Sequence, residues 1–476
     1  MIAKLVLLAG AGVASMMLLY LFLRWERSGR EHWVVFLLLG MLLVESSLWD
    51  DETTIPQGLF HPGTGSLEFR LPEVIITVAL LARVLIKGTP QRIGLPAMLW
   101  LTVAGWWTLE AVEGLLRHNS TVKLPFEAKA IIYVMGAYAL TSGVPIRRFL
   151  DGRGFERLLQ WSALTSVVLL LLTAAHKKFA VNIPGIRLLD FGSLGTDAAT
   201  IFVTVGVIGF LLELNKERRS RFNLLCVVPL FLSPFFAYQR AVLLTLGAIV
   251  TVVVLVASGS TARERLRIRA GEVAITALGV VGVVLAVSVI PAVTAQKSVT
   301  APLASTYQNT LGATLNSEGK QLSAQDRLNK WTVALGDAKE HWLLGQGLGF
   351  TYSYYQAGPN VYIVTDLTEN IGLDLWLRTG LIGLGLFLLA LVTALVNGFS
   401  AWRLHPDQEV AVLALALFAV VVGLIAAGQV QSIFENYRLA TVLGLSLGML
   451  RSAVTSGGGG PTAMRTYQAI RHYEVV

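Results

Sequence analysis

Six ionisable residues stand at the mouths of apolar runs or within a few turns of them: Arg187, Arg240, Arg327, Glu369, Asp374 and Arg378. A charge near membrane depth is costly, which makes such positions the default place to look for function. Arg240 closes Tyr238-Gln239-Arg240, a connection between two apolar runs so short that the guanidinium must lie near a bilayer boundary. There it can grip two oxygens of a phosphate or diphosphate by parallel hydrogen bonds, with little competition from water, or it can snorkel to the interface as an anchor. Arg187, three residues before Asp190, offers the same anion chemistry or a local ion pair. Glu369 falls in the first turn expected of a span, where the helix dipole favours a carboxylate. That carboxylate is a general base toward a sugar hydroxyl or a plain acidic start to a helix. Asp374 and Arg378, four apart on one helix face, read best as a structural pair. Arg327 falls in the first turn of a predicted loop helix, where a cation is unfavourable unless a partner or ligand charge relieves it. Tyr352, Tyr354, Tyr355 and Tyr362 can stack on sugar rings or form an interfacial belt. The glycine turn at 345–349 follows no strand, which argues against a dinucleotide. The seven histidines show no metal-ligand spacing, so neither a metal nor a cofactor is expected.

Positioning these groups requires elements that cross a membrane. The 476-residue chain is 54% hydrophobic and only 14% charged, a composition no ordinary soluble domain has. Apolar runs long enough for a hydrocarbon layer of roughly 30 Å recur along its whole length. They predict an all-α polytopic membrane protein of about 12–13 transmembrane helices, at 5–23, 33–49, 72–86, 96–115, 128–146, 158–175, 198–214, 223–237, 241–257, 273–292, 371–398, 410–428 and 439–450. The first run has no basic n-region beyond Lys4 and no small-residue cleavage site before Arg24, so it reads as a span. Cys226 is the only cysteine, which excludes an intramolecular disulfide and a cysteine metal site.

More than half of the 38 lysines and arginines sit in one set of nearly always short connections, around 24–30, 83–92, 147–157, 216–221 and 263–269, and at the far end of the chain. The positive-inside rule makes that set cytoplasmic, with the N-terminus outside and the C-terminus inside. The net charge of +8 is then a matter of topology and gives no reason to expect nucleic acid. Four units follow: a transmembrane bundle at 1–292, an extracytoplasmic loop at 293–370, further spans at 371–450 and a glycine-rich cytoplasmic tail at 451–476. Within the loop, Ser323 and Asp326 suggest a capped helix start. That helix would put Leu328, Trp331, Leu335, Ala338 and Trp342 on one apolar face, against the bundle or the membrane surface.

Three pieces of this region, taken in order, resemble a known family. They are Arg-Leu-Asn-Lys-Trp at 327–331, Leu-Gly-Gln-Gly-Leu-Gly-Phe at 344–350, and the stretch from Glu369-Asn370 through Thr-Gly-Leu-Ile-Gly at 379–383. The pattern is similar to the large outer loop and following span of the O-antigen ligase and polymerase superfamily: an arginine then a tryptophan on a helix, a G-x-G turn, a His-Asn pair, and a helix holding a G-L-I-G stretch. Upstream, Gln239-Arg240 looks like the family's Ser-Arg at a span start, and Arg187 with 195–199 looks like its arginine before a span entry, so the resemblance covers about 185–450.

The resemblance implies a GT-C-like bundle in a bacterial inner membrane. It also implies metal-independent, inverting glycosyl transfer on the extracytoplasmic side, from a glycan on undecaprenyl diphosphate to an acceptor glycan or glycolipid. By the same resemblance Arg187 and Arg240 bind the donor diphosphate and Glu369 takes the place of the family's base; Arg240 and Glu369 are thus the expected catalytic residues, with Arg327 as a further expected diphosphate ligand and Asn370, Tyr352, Tyr355 and Tyr362 as expected sugar contacts. Glu369 stands where the family has histidine, a departure that favours a polysaccharide polymerase, for O-antigen or exopolysaccharide, over a strict ligase joining glycan to lipid A core. Membrane lipids and envelope polysaccharide-assembly proteins are the other expected partners. The competing readings are a non-catalytic transporter of lipid-linked glycan, which would scatter charges through helix centres, and an envelope scaffold, in which Arg240 and Glu369 would tolerate substitution.

Overall fold

The computed structural model describes residues 2–48, 71–88, 94–151, 153–179, 196–216, 219–236, 240–257, 318–356, 360–431, 433–434 and 436–456. The described chain is helical almost throughout: α1 (Ile2–Arg27), α2 (His32–Leu48), α3 (Leu71–Lys87), α4 (Leu95–Leu116), α5 (Lys123–Ser142), α6 (Ile146–Asp151), α7 (Gly154–Phe179), α8 (Thr196–Asn215), α9 (Arg221–Phe236), α10 (Arg240–Ala257), α11 (Glu318–Glu340), α12 (Ile371–Leu404), α13 (Gln408–Ala427) and α14 (Tyr437–Ser456). Twelve of the thirteen predicted spans coincide with one of these helices; the one at 273–292 lies outside the described residues. By length and composition, the helices at Asp197–Asn215, Ile371–Leu404, Gln408–Ala427 and Tyr437–Ser456 can cross a membrane. The protein is an all-α polytopic membrane protein.

α13 is the hub. It is buried along nearly its whole length and packs on α10, α12, α14 and α8. Small residues let helices approach where apolar lipid offers no hydrophobic drive for association. A Cβ at Gly444 of α14 would stand 2.3 Å from the Val134 carbonyl oxygen of α5, and one at Gly448 would stand 2.5 Å from that of Tyr138. The leucines and valines of α4, α10 and α12 that remain exposed, such as Leu109, Val254, Leu389 and Val396, form the lipid-facing surface such a bundle needs.

Two polar ends bound the bundle. At one, Glu26, Glu31, Arg83 and Lys87 pair across α1, α3 and the turn before α2, while Arg147 pairs with Asp407 and Glu409. At the other, Lys123 pairs with Asp366, Arg438 with Asp197, and Arg327 with Glu369. α11 and a β-hairpin, β1 (Tyr352–Gln356) and β2 (Val361–Thr365), cap this second end. The hairpin is an addition to the all-helical expectation. Alternating Tyr-Ser-Tyr against Val-Tyr-Ile-Val is a period-2 pattern that fits a small antiparallel pair.

The loop helix departs from expectation twice. It begins at Glu318, so Ser323 lies inside the helix and does not cap it. Its buried face carries Ala334 and Ala338, packed with Leu377 and Tyr352, whereas Leu328, Leu335 and Trp342 are exposed. Alanines allow the closer approach of helix to helix, so they win the contact with α12 and the larger apolar side chains are left on the outside.

α12 is not one continuous span. At Gly380 the backbone takes φ 64° and ψ −175°, which breaks the helix. The groups freed by the break are paired: the Leu377 and Arg378 carbonyls accept from the N–H groups of Gln346 and Gly347, the Leu381 N–H donates to the Trp342 carbonyl, and the Trp106 indole N–H donates to the Thr379 carbonyl. Irregular backbone at membrane depth survives only when protein satisfies it in this way. The glycine turn at 345–349 is therefore a wedge. It enters between the ends of α4, α5 and the break, and Gly345, Gly347 and Gly349 all have positive φ. A Cβ at Gly380 would stand 2.1 Å from the Leu343 carbonyl oxygen, while one at Gly385 would meet nothing within 4 Å. Gly380→Ala is expected to lower the thermal unfolding midpoint of the purified protein by several degrees, and Gly385→Ala to leave it unchanged or slightly raised. Equal midpoints for the two variants would show that the break tolerates an ordinary residue.

Candidate functional site

The capped end of the bundle holds Glu369 in a constructed setting. Consecutive carbonyls before it are each gripped by a side chain from a different element. Asp366 O accepts from an Arg378 Nη at 2.5 Å, Leu367 O from the Tyr352 hydroxyl at 2.8 Å, and Thr368 O from the Trp331 indole N–H at 2.8 Å. Thr368 Oγ1 donates to the Asn370 carbonyl and accepts from the Asn370 N–H, closing a tight turn around the residue between them. Glu369 sits in that turn at φ 57°, a left-handed conformation uncommon for a residue with a Cβ. Such conformations cost about 1–3 kcal/mol and persist where the surroundings over-determine them.

Glu369 lies two residues before the helix and not in its first turn. Asn370 is the N-cap of α12, its side chain accepting from the Leu373 N–H at 2.9 Å, so the helix start does not use the Glu369 carboxylate. The carboxylate turns to α11, where Arg327 Nε meets one oxygen at 2.9 Å and Lys330 Nζ the other at 3.0 Å. Lys330 also lies 5.3 Å from the centre of the Tyr354 ring. Arg327 is the tenth residue of α11 and not in its first turn as expected, so its pairing with Glu369 answers no helix-start dipole. Lys330 was legible only as the second cation on the Arg327 face, three residues on. Side-chain exposures of 38% for Arg327 and 30% for Glu369, against 9% for Lys330, leave the first pair open to a ligand and the lysine as its inner support. Farther along α11, burial pushes the Asp337 carboxyl above its ordinary range, helped by the neighbouring Glu340.

Beneath the turn, Arg378 is 1% exposed and bonds Asp374 Oδ1 at 2.9 Å as well as Glu127 of α5. Asp374 and Arg378 are the expected pair, enlarged by Glu127, whose other oxygen accepts from the Gly349 N–H at 2.6 Å. The network ties α5, the glycine wedge and the strap at 366–368 to one guanidinium. Tyr352 is 4% exposed, and with its hydroxyl committed to Leu367 it has no face left for a sugar, contrary to its expected role. Tyr355 and Tyr362 are different: they face each other across the hairpin at 5.6 Å between ring centres and are 39% and 77% exposed. Asn370 donates to Gln429 at the end of α13, so it is a helix cap and a tie between segments.

Arg240 is the first residue of α10. Thr245 and Ile249 of α10 pack against Gly423 of α13, and the antiparallel register that follows sets the start of α10 level with the connection after Gly428. The Ile371 N–H donates to the Gly428 carbonyl at 2.7 Å, so the backbone at Arg240 belongs to the same end of the bundle as Glu369. Arg187 lies outside the described residues. Asp197, at the start of α8, is held by Arg438 at 3.0 Å and by Asn436.

Residues 224–388 match the model of the O-antigen ligase family. That stretch is similar to the O-antigen ligase domain. The matched stretch contains Arg240, the α11 cations, the glycine wedge, Glu369 and the Gly380 break, and it is shorter than the 185–450 suggested by the sequence resemblance, leaving Arg187 and 195–199 outside. Glu127 and Gly114, against which the matched stretch seats its wedge, also fall outside it. No curated protein matches the chain. The match over this stretch supports the likeness to the ligase and polymerase superfamily, and with it glycosyl transfer in general.

Proposed function

We propose that this protein is an extracytoplasmic, inverting, metal-independent glycosyltransferase of a bacterial inner membrane, using a glycan on undecaprenyl diphosphate and joining repeat units as a polymerase. The observation that carries the reading is Glu369: a carboxylate held at positive φ by three side-chain grips, inside the stretch that matches the O-antigen ligase family, beside two cations. In the proposed reaction the Glu369 carboxylate takes the proton of an acceptor hydroxyl as its oxygen attacks the anomeric carbon. The bond from that carbon to the diphosphate breaks, and its electron pair leaves with the diphosphate. Charge growing on that leaving group is met by Arg240 and Arg187, with Arg327 released from Glu369 as the proton arrives. The basic end of the bundle faces the cytoplasm under the positive-inside rule, which puts Glu369 on the opposite side and the C-terminus inside.

A second reading, a ligase passing finished glycan to lipid A core, is favoured by the description of the matching family. Deleting the gene and sizing the surface glycan separates the two: a shortened chain-length distribution supports polymerase, and full-length polymer left on lipid supports ligase. An unchanged surface glycan would contradict both. Arg240→Ala is expected to lower transfer at least about 10²-fold, with Arg240→Lys recovering only part because an ammonium lacks the two-pronged donor geometry. Chain extension in isolated membranes at matched protein levels reads both variants, and wild-type activity in Arg240→Ala would remove it from the donor site.

A further inference from the structure

A cavity of about 330 Å³ opens beside the Glu369 turn, between the first half of α5, the strap at 366–367 and the entry to α14. It belongs to none of the groups placed above in the reaction. Its walls are aromatic, from Phe126, Tyr133, Phe434 and Tyr437, and Lys123 and Asp366 stand at its edge, paired at 3.0 Å. Lys129, also on the lining, reaches Glu73 at 3.4 Å.

Resting on the functional reading above, we propose that this cavity is the subsite for the acceptor glycan, binding the one or two uncharged sugar rings next to the attacking hydroxyl. Three observations carry this. The volume is at the lower end of ordinary ligand pockets, too small for a polyprenyl chain but of a size for a short saccharide. Aromatic faces with polar groups at their edges suit pyranose rings, whose C–H faces pack on aromatic carbon while hydroxyls bond the rim. Lys123 and Lys129 are each held by a carboxylate, and paired charges present donors and acceptors together, as a ring of hydroxyls requires.

Position agrees with chemistry. Asp366 on the cavity wall is three residues from Glu369, so the two Cα atoms are at most about 10 Å apart, the length of a disaccharide. α10 packs on α13, whereas the cavity is walled by α5, which packs on α3, α4 and α14. An acceptor seated in the cavity would reach Glu369 along the strap at 366–368, from different elements than a donor held at the start of α10.

The test uses the full chain in lipid nanodiscs and, as probe, the one- to three-repeat oligosaccharide freed by mild acid from the host cell's own lipid-linked glycan. With no diphosphate, this probe cannot act as donor. The expected result is saturable binding, retained in Glu369→Gln and weakened at least about tenfold in both Phe126→Ala and Lys123→Ala, whose side chains are partly exposed and can be removed without unfolding. No binding to the wild type, or binding retained by both variants, would overturn the subsite. Binding with that pattern in a protein that transfers no sugar would sink the proposed reaction and leave the saccharide site standing.

Discussion

Glu369→Gln is expected to reduce glycosyl transfer by about 10²–10⁴-fold, the usual contribution of a positioned general base. Glutamine keeps the size of the side chain and one oxygen for Arg327 or Lys330, and the grips on the strap at 366–368 use backbone carbonyls and do not involve the carboxylate. Folding should therefore survive, with the purified variant as monodisperse as the wild type. Glu369→Asp should also fail, because the base would be withdrawn by one methylene from a turn that cannot follow it. The measurement is the length distribution of glycan made by membranes containing each variant. A scaffold or transporter would give the same distribution for all three proteins.

Arg378→Met is expected to destabilise the protein strongly. The side chain is 1% exposed and answers Glu127, Asp374 and the Asp366 carbonyl, so its removal strands two buried carboxylates inside the bundle. Breaking a buried pair from one side costs about 3–5 kcal/mol, well above the value of the intact pair, because the remaining charge keeps its desolvation penalty. A fall in the unfolding midpoint of roughly 5 °C or more is expected, from the usual relation between stability and melting. The triple variant Arg378→Met, Asp374→Leu, Glu127→Gln should regain much of it, since no unpaired charge is left. If the single variant melts with the wild type, the network is not holding the strap.

The spans were legible because burial in lipid imposes a single pattern, long apolar runs with charges at their ends, and that pattern needs no knowledge of neighbours. The Asp374–Arg378 pair was legible for a related reason: i,i+4 spacing is local. The break at Gly380 was not, although Thr379-Gly380 was visible as part of a motif. Its cause is the wedge at 345–349, which supplies the missing hydrogen bonds from more than thirty residues away. Glu369 was legible as a carboxylate at the mouth of a span, but it lies two residues ahead of the helix and not in its first turn, because Asn370 caps the helix and the turn around Thr368 bends the carboxylate toward α11. Lys330 was overlooked for the same reason that Tyr352 was over-read. Which face of α11 meets α12 is settled by Ala334 and Ala338, and an amphipathic count favours leucine and tryptophan over alanine. The cavity beside Lys123 is assembled from α5, the strap and the entry to α14, and no spacing within one segment announces it.

The most direct test of the central claim is reconstitution. The purified chain in nanodiscs is given only the host's polyprenyl-diphosphate-linked repeat unit, and both products are counted over time. The account predicts glycan of increasing length, inverted linkage at each new bond, and one polyprenyl diphosphate released per bond formed, with all of it lost in Glu369→Gln. Intact, monodisperse protein that lengthens no glycan, or that releases polyprenyl diphosphate without forming a bond, would contradict it.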